Sequence, residues 1–276
     1  MIRVLMKTTA LFIAGLLAAT SANAQIGGDW FPDEFLPSGI FTIDAERDET
    51  YIDLGATVIH RPAYLGSSKQ DTNLFPFVNA EYRGRWFLNP YQGVGFNPIN
   101  NKNLRISTGI GFVSGRKAED TPFNDEVFDL DPGAGLIING RYIFKYGAVE
   151  LTVSESLTGD VEGLQLSGRL ATLIPVSKQL RIVPAVSVSW QGTDRRNSIY
   201  GINAEQSAVS RTGIVSYDSD FTNVGVALEA YWSNEDRSWH ILGLVQHREL
   251  VGDIRGSILT PEDSGLLAVV GFARRY

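Results

Sequence analysis

The stretch that decides the fold is LRISTGIGF, residues 104–112, in which apolar and polar or small residues alternate. Even positions are mostly apolar, whereas the odd positions hold Arg105, Ser107, Gly109 and Gly111. Side chains of a β-strand alternate with period two, so one face of this strand is apolar and the other polar. The same alternation returns in residues 149–154, 164–170 and 224–232. No stretch of comparable length keeps a helical period, and the sequence therefore predicts an all-β protein.

Alternating strands suit a soluble sandwich, with the apolar face inward, or an outer-membrane barrel, with that face toward lipid. Segments 104–114 and 180–190 have the length of about ten residues that a tilted membrane strand needs, whereas sandwich strands are usually shorter. Aromatic residues near strand ends, as at Trp86, Trp190 and Trp239, are typical of the girdles at the two membrane interfaces. We therefore predict a transmembrane outer-membrane antiparallel β-barrel.

The pattern predicts about twelve strands. Links after odd-numbered strands include all the long ones, and links after even-numbered strands are short, as expected for outside loops and periplasmic turns. An even count puts both chain ends in the periplasm. We expect a bulge at Pro184, because proline removes a donor from the ladder. The predicted strands lie near residues 51–60, 75–83, 85–89, 93–97, 104–114, 134–145, 148–157, 163–173, 180–190, 222–232, 238–247 and 266–276.

The last predicted strand, LLAVVGFARRY at residues 266–276, ends on an aromatic residue. Tyr276 and Phe272 share its apolar face, and pairing with the first strand would close the barrel. We interpret Phe272 and Tyr276 as the signal that the outer-membrane assembly machinery reads. Arg274 on the same face is expected at the periplasmic interface, where a long cation can reach water.

The N-terminus reads as a secretory signal peptide, residues 1–24, that is cleaved after Ala24. A basic start is followed by the apolar run 10–19 and by the small residues Ala22 and Ala24. Residues 25–49 then form an acidic periplasmic N-terminal segment, and residues 50–276 form the transmembrane barrel. The expected location is the outer membrane of a Gram-negative cell, in contact with lipid and lipopolysaccharide.

The composition excludes several functions. A net charge of −7 carries no electrostatic footprint for nucleic acid. With no cysteine, the chain has no disulfide and no thiolate metal ligand. Of the three histidines, His240 and His247 face opposite sides of one strand and cannot share a site. Acidic pairs near Asp129 and Asp218 suit solvated loops better than a Ca²⁺ site. No enzyme, metal or cofactor is expected.

Four motifs resemble the MipA/OmpV family of outer-membrane proteins, known as MltA-interacting proteins. Residues 64–68 (YLGSS), with Tyr64, Gly66 and Ser67, are similar to the family's Tyr-x-Gly-Ser. Pro76, followed by residues 82–87 (YRGRWF), resembles its proline and Tyr-Arg-x-Arg-Phe-Phe segment. The most specific match is residues 200–208, which contain Tyr200, Gly201, Gln206 and Ser207. Residues 250–253 (LVGD) resemble its Leu-x-Gly-Asp, whereas residues 256–258 depart from the Asp-Ser-Pro expected there.

The resemblance implies a barrel without catalysis of its own. Family members are described as scaffolds that bring a lytic transglycosylase to a bifunctional peptidoglycan synthase, a penicillin-binding protein. Other members are described as adhesins or immunogenic surface proteins. The first function that we consider is therefore a scaffold that links a murein hydrolase to a peptidoglycan synthase.

Two alternatives remain open at the level of sequence. A narrow small-solute pore would be lined by basic side chains, which Glu81, Glu150 and Glu229 could neutralise by pairing. A surface adhesin would use the long loop at residues 191–221. The basic residues expected in the lumen are Arg105, Arg141, Lys145, Arg169 and Arg181.

The acidic segment 25–49 is a candidate docking tail. It holds seven acidic residues and one basic residue, together with aromatic residues and two prolines. Aromatic anchors within an acidic rim would suit a basic periplasmic enzyme. The alternative interpretation is a disordered leader or a plug of the lumen. The docking residues that we single out are Asp29, Trp30, Asp33, Glu34 and Phe35.

Overall fold

The computed structural model describes residues 50–276, which form one antiparallel sheet. The predicted signal peptide and acidic segment lie outside the described residues. Two short helices, α1 (Thr193–Tyr200) and α2 (Ala204–Ser210), lie in one loop. The strands are β1 (Tyr51–Pro62), β2 (Gln70–Tyr82), β3 (Trp86–Asn89), β4 (Gly93–Asn100), β5 (Leu104–Val113), β6 (Gly133–Phe144), β7 (Gly147–Ser156), β8 (Leu164–Thr172), β9 (Ile174–Pro175), β10 (Leu180–Gln191), β11 (Asp220–Ser233), β12 (Trp239–Leu250) and β13 (Ser264–Arg275).

The sheet closes because β1 pairs with β13. Their ladder runs from Asp53 opposite Arg275 to His60 opposite Ala268. Both β8 and β9 pair with β10, so they are two parts of one interrupted strand and the barrel has twelve strands. The predicted fold class is confirmed. Closure matters because lipid offers no hydrogen-bonding partner to an open strand edge.

The interruption between β8 and β9 lies opposite Pro184. The β8 ladder with β10 ends where Ala185 meets Ala171, and the β9 ladder resumes where Ile182 meets Ile174. Proline has no N–H to donate, so the ladder breaks at this point. The bulge that we expected at Pro184 is therefore a break in the neighbouring strand, while the register shift in β10 falls at Ser189 and Trp190.

The two faces of each strand differ as the period-two pattern predicts. On β13, Leu267 and Val269 point inward and are buried, while Val270 and Phe272 point outward and are at least half exposed. Exposed apolar side chains recur around the outside of the barrel, for example Leu151 and Val226. A continuous apolar exterior is the surface that a bilayer requires.

The two ends of the barrel differ in the length of their links. The turn end carries the short connections at residues 83–85, 101–103, 145–146, 176–179 and 234–238, and both Thr50 and Tyr276 lie there. The loop end carries the connections at residues 63–69, 90–92, 114–132, 157–163, 192–219 and 251–263. Short turns mark the periplasmic side of such barrels, so the turn end faces the periplasm.

Some predicted boundaries were wrong. The second strand begins at Gln70 rather than near residue 75, which shortens the first loop to residues 63–69. The loop predicted at residues 191–221 contains α1 and α2. Within the described chain no helix is both long enough and apolar enough to cross a membrane.

The hairpin of β3 and β4 is shorter than its neighbours. β3 pairs with β2 only from Ala80 to Tyr82, and the link that follows β3 turns inward. The Asn89 carboxamide oxygen accepts the N–H groups of Tyr91 and Gln92, at 3.0 and 2.7 Å. This local turn places the buried Tyr91 ring inside the barrel.

Replacing Val270 tests the assigned lipid face. Val270 lies at the middle of β13 and is 62% exposed on the outer surface. Val270→Arg should destabilise the folded barrel by about 2–4 kcal/mol, the cost of a cation near the bilayer midplane. Urea unfolding in lipid vesicles measures the change, with Val270→Leu as the control. Equal stability of the two variants would contradict the assignment.

Candidate functional site

The loop end is covered by an interlocked layer that we call the loop lid, made of residues 63–69, 114–132, 192–219 and 251–263. Tyr64 is buried in it, and its hydroxyl donates to the Leu259 carbonyl at 2.6 Å. Burial raises the pKa of the Tyr64 phenol to about 12, against the opposing effect of the Arg116 guanidinium. Tyr64 therefore stays neutral and ties the first loop to the last.

Arg116 joins three of the lid loops. Its guanidinium lies 5.3 Å from the centre of the Tyr64 ring and donates to the carbonyls of Ile199 and Phe128. Arg196 plays a similar part in α1, where it is fully buried and donates to Asp253 and to the Asp218 carbonyl. We did not predict either arginine, because nothing in the spacing of a loop arginine shows that it is buried.

The motif at residues 200–208 is structural. Tyr200 is fully buried, and the amide of Gly201 closes the end of α1 by donating to the Asn197 carbonyl. Gln206 caps α2 reciprocally with Asn203 and reaches the Val127 carbonyl at 3.2 Å. The Ser207 hydroxyl donates to the Thr212 carbonyl at 2.6 Å. The pattern Asn-x-x-Gln at residues 203–206 is a capping-box signal that could have predicted α2.

Residues 64–67 are held by the same layer. Gly66 has φ +103°, and a Cβ there would lie 2.7 Å from the Thr260 methyl group, so glycine is required on both counts. The Ser67 hydroxyl donates to the Asp120 carbonyl at 3.1 Å. Asp120 is partly buried and near Asp71, and both effects raise the pKa of its carboxyl. The structure thus brings Tyr64, Gly66 and Ser67 into one layer with residues 200–207.

The remaining predicted site residues lie elsewhere. Pro76 lies on the outer face of β2, opposite Ala56 of β1. Phe272 stacks on Trp239 with ring centres 4.9 Å apart, near the turn end. The Arg274 guanidinium lies 5.2 Å from the Trp239 ring and 5.0 Å from the Tyr276 ring, at the turn end of the barrel. The part of Phe272 and Tyr276 in assembly remains a prediction.

Ion pairs cross the half of the lumen nearest the turn end. Glu150 accepts from Arg141 and, at 3.2 Å, from Arg169, and Arg169 also pairs with Glu229. Residues from β6, β7, β8 and β11 are linked in this way. A buried charge needs such a partner, because desolvation without pairing costs several kcal/mol.

Two further groups continue the polar lining. Glu81 pairs with Arg105 at 2.8 Å, and Asp53 pairs with Arg275 at 2.7 Å. The expected neutralisation of lumen arginines by Glu81, Glu150 and Glu229 is confirmed. Lys145 was assigned wrongly: it lies exposed in the turn after β6, with its amine 4.8 Å from the Tyr146 ring centre.

The rest of the lumen is packed with apolar, aromatic and further polar side chains. Inward residues such as Leu242, Leu267, Phe77 and Tyr231 are at most 4% exposed, whereas a water-filled channel would leave them accessible. A cavity of about 10 Å³ lies beside Arg105, with room for about one water molecule. Side chains of the described residues therefore pack the lumen.

The three histidines lie apart from one another in residues 50–276. His240 points inward and hydrogen bonds with Tyr231, while His247 is exposed outside, as the spacing predicted. His60 is also outside and bonds Thr72 at 2.8 Å. Within the same residues no group of three or more His, Asp or Glu side chains is placed to hold a metal ion.

A closed twelve-stranded antiparallel barrel with an apolar exterior and short turns at one end defines an outer-membrane β-barrel protein. The sequence model of the family MltA-interacting protein MipA matches residues 54–276. The chain belongs to that family, and its location is the outer membrane. Comparison with curated proteins finds no match.

Solved structures similar to the chain are also outer-membrane proteins. OmpT of Vibrio cholerae with its loop L8 deleted is 9% identical, with a TM-score of 0.35, over 83% of this chain and 98% of that chain. A bacterial polysaccharide outer membrane secretin is 10% identical, with a TM-score of 0.38, over 84% and 100%. A porin is 7% identical, with a TM-score of 0.35, over 83% and 100%.

Removing one carboxylate tests the lumen network. Glu150→Gln leaves Arg141 and Arg169 buried with a weakened partner, so we expect a loss of about 3–5 kcal/mol in unfolding free energy. Urea unfolding in detergent micelles measures it. The matched control is Glu155→Gln on the same strand, which should change stability by less than about 0.5 kcal/mol. Equal effects of the two changes would refute a structural role for the network.

Tyr64→Phe tests the loop lid. The change leaves the Leu259 carbonyl without its donor and should cost about 1–3 kcal/mol. Above about pH 10 the unfolded chain ionises its tyrosine before the folded chain does, so the wild type loses stability and the gap between the two proteins narrows. Unfolding midpoints from pH 8 to 11, compared with those of Tyr146→Phe, would show it. A stability difference between the wild type and Tyr64→Phe that does not change with pH would contradict a buried, neutral Tyr64 phenol.

Proposed function

We propose that the protein is a non-enzymatic platform that holds a murein hydrolase beside a peptidoglycan synthase at the inner face of the outer membrane. The observation that carries the proposal is the packed lumen, because it leaves the two ends and the outer surface of the barrel for contacts with other molecules. The family name, MltA-interacting protein, supports a periplasmic partner. A lytic transglycosylase and a penicillin-binding protein are the partners proposed.

The acidic segment 25–49 is the proposed contact with those partners. The described chain begins at the turn end, next to the Arg83 amide, which donates to the Thr50 hydroxyl at 3.1 Å. Residues that precede Thr50 therefore start at the periplasmic face. With seven acidic residues and a single basic one, the segment suits a basic enzyme surface through charge and aromatic anchors.

A surface adhesin is the second candidate. Apolar side chains at the loop end are exposed, including Val209, Ile214 and Ile258. The loop lid that carries them is fixed by the contacts of Tyr64, Arg116 and Arg196. Adhesion would be lost when residues 204–215 are deleted, and the assay is attachment of whole cells to host surfaces.

The scaffold proposal is tested by capture of its partners. Tagged protein from mildly detergent-solubilised envelopes should retain a murein hydrolase or synthase at low salt and release it at high salt. Deleting residues 25–48 should abolish capture. A barrel that keeps its heat-shifted gel mobility serves as the control for folding. Undiminished capture by the deleted protein would contradict docking through the tail.

A charge-neutralised variant separates the acidic groups from the rest of the tail. Replacing Asp29, Asp33 and Glu34 by their amides keeps the aromatic residues and removes three negative charges. We expect the loss of salt-sensitive capture, measured by the amount of enzyme eluted per barrel. Capture that survives the amide changes but not the deletion would assign binding to the apolar residues instead.

A further inference from the structure

The turn end of the barrel is strongly basic. Its five turns hold six basic residues and two acidic ones, whereas the six loops of the loop end hold seven basic and fourteen acidic residues. All the basic residues in these turns are exposed. We call this set the basic rim, and it consists of Arg83, Arg85, Lys102, Lys145, Lys178 and Arg237.

The basic rim contains a cleft beside the turn from β2 to β3. Two adjoining hollows of about 500 and 400 Å³ share Arg83, Arg85 and Trp86 as lining residues. Trp86 is 59% exposed on the outer face of the barrel, at the level of the expected aromatic girdle, and Tyr82 and Phe96 also present aromatic surface there. We call this the Arg83–Trp86 cleft. Neither Arg83 nor Arg85 forms an ion pair with another residue of the described chain.

The chemistry of the cleft selects its occupant. Two guanidinium groups favour carboxylates, which they can bind through two parallel hydrogen bonds. Exposed aromatic rings beside them favour another aromatic ring, and a guanidinium stacks on such rings as well. The fitting ligand is a short peptide that combines aromatic and acidic residues.

This chain carries such a peptide in the sequence that precedes the first strand. Residues 29–35 read DWFPDEF, with three carboxylates and three aromatic rings in seven positions. The chain reaches the barrel at Thr50, which is hydrogen bonded to the Arg83 amide. The twenty residue-to-residue steps from Trp30 to Thr50 span up to about 66 Å when extended, so reach does not limit binding.

We propose that residues 29–35 dock in the Arg83–Trp86 cleft of the same chain. The carboxylates of Asp29, Asp33 and Glu34 face Arg83 and Arg85, and the ring of Trp30 packs on Trp86. The tail is thereby held against the basic rim until something competes for it. The docking needs no partner protein.

The docked tail regulates capture, and this step rests on the function proposed above. The residues that bind the cleft are those offered to the murein enzyme, so the two contacts exclude each other. A basic partner must displace Arg83 and Arg85 from the acidic residues of the tail. Weakening the contact between the tail and the cleft therefore makes the tail easier for the partner to capture.

Distances between spin labels test the docking in the mature full-length chain. The chain has no cysteine, so Ser38→Cys in the tail and Val176→Cys in the turn across the barrel from the cleft give a unique label pair. We expect a single narrow distance peak by pulsed electron resonance at low salt. Arg83→Gln with Arg85→Gln should replace it with a broad distribution, as should Trp30→Ala. The matched control, Lys102→Gln with Lys145→Gln, removes the same charge and should keep the peak.

Docking would be overturned by a broad distance distribution in the labelled chain that keeps both arginines, or by a narrow distance peak that survives the double arginine change. A phospholipid phosphate is the competing ligand for Arg83 and Arg85. Measurements in neutral detergent and in nanodiscs of phosphatidylglycerol distinguish the two ligands. A peak in both environments supports the tail, and a peak that disappears in the nanodiscs assigns the cleft to lipid. Because no enzyme is present, failure here leaves the capture experiment unaffected.

Discussion

The hydrogen-bonded seam between β1 and β13 is the contact on which the rest of the molecule depends. In a bilayer every strand edge must be paired, and only closure supplies a partner for the first and the last strand. The seam joins Asp53 to Arg275 through backbone pairing and through their side chains. Once the barrel is closed, the alternation of side chains fixes which residues meet lipid and which meet each other.

Closure determines the interior as well. Outward positions must be apolar, so polar and charged residues of the strands collect inside, where they have to find partners. The chain Arg141–Glu150–Arg169–Glu229 supplies them in one half of the lumen. Apolar residues and the inward-turned Tyr91 fill much of the rest, and the loop lid covers the outer end. The surfaces that remain for function are the two ends, which have opposite charge.

The sequence was informative where one physical rule acts alone. Alternation along residues 104–112 predicted strands. An apolar face that meets lipid predicted the barrel, and the number of alternating segments predicted its strand count. The uneven link lengths predicted the turn end. Pairing of Glu81, Glu150 and Glu229 with arginines followed from the need to neutralise buried charge.

The sequence was less informative where tertiary contacts decide. Arg116 and Arg196 are indistinguishable in sequence from solvated loop arginines, because only the folded lid buries them. The turn at Asn89 directs Tyr91 inward, and such a local turn leaves no periodic pattern in the sequence. By its spacing in the sequence Lys145 continues the polar face of β6, but the strand ends one residue earlier, at Phe144. The motif residues 200–207 were singled out by family resemblance alone, and the structure places them in the loop lid.

If side chains fill the lumen and the protein acts through its surfaces, the barrel should conduct no ions. The most direct test is the conductance of the purified, folded protein in planar lipid bilayers, with a heat-unfolded sample as control. We expect the folded protein to give no resolved current steps above those of the protein-free membrane. Reproducible steps with a defined ion selectivity would contradict the filled lumen and would make the protein a pore.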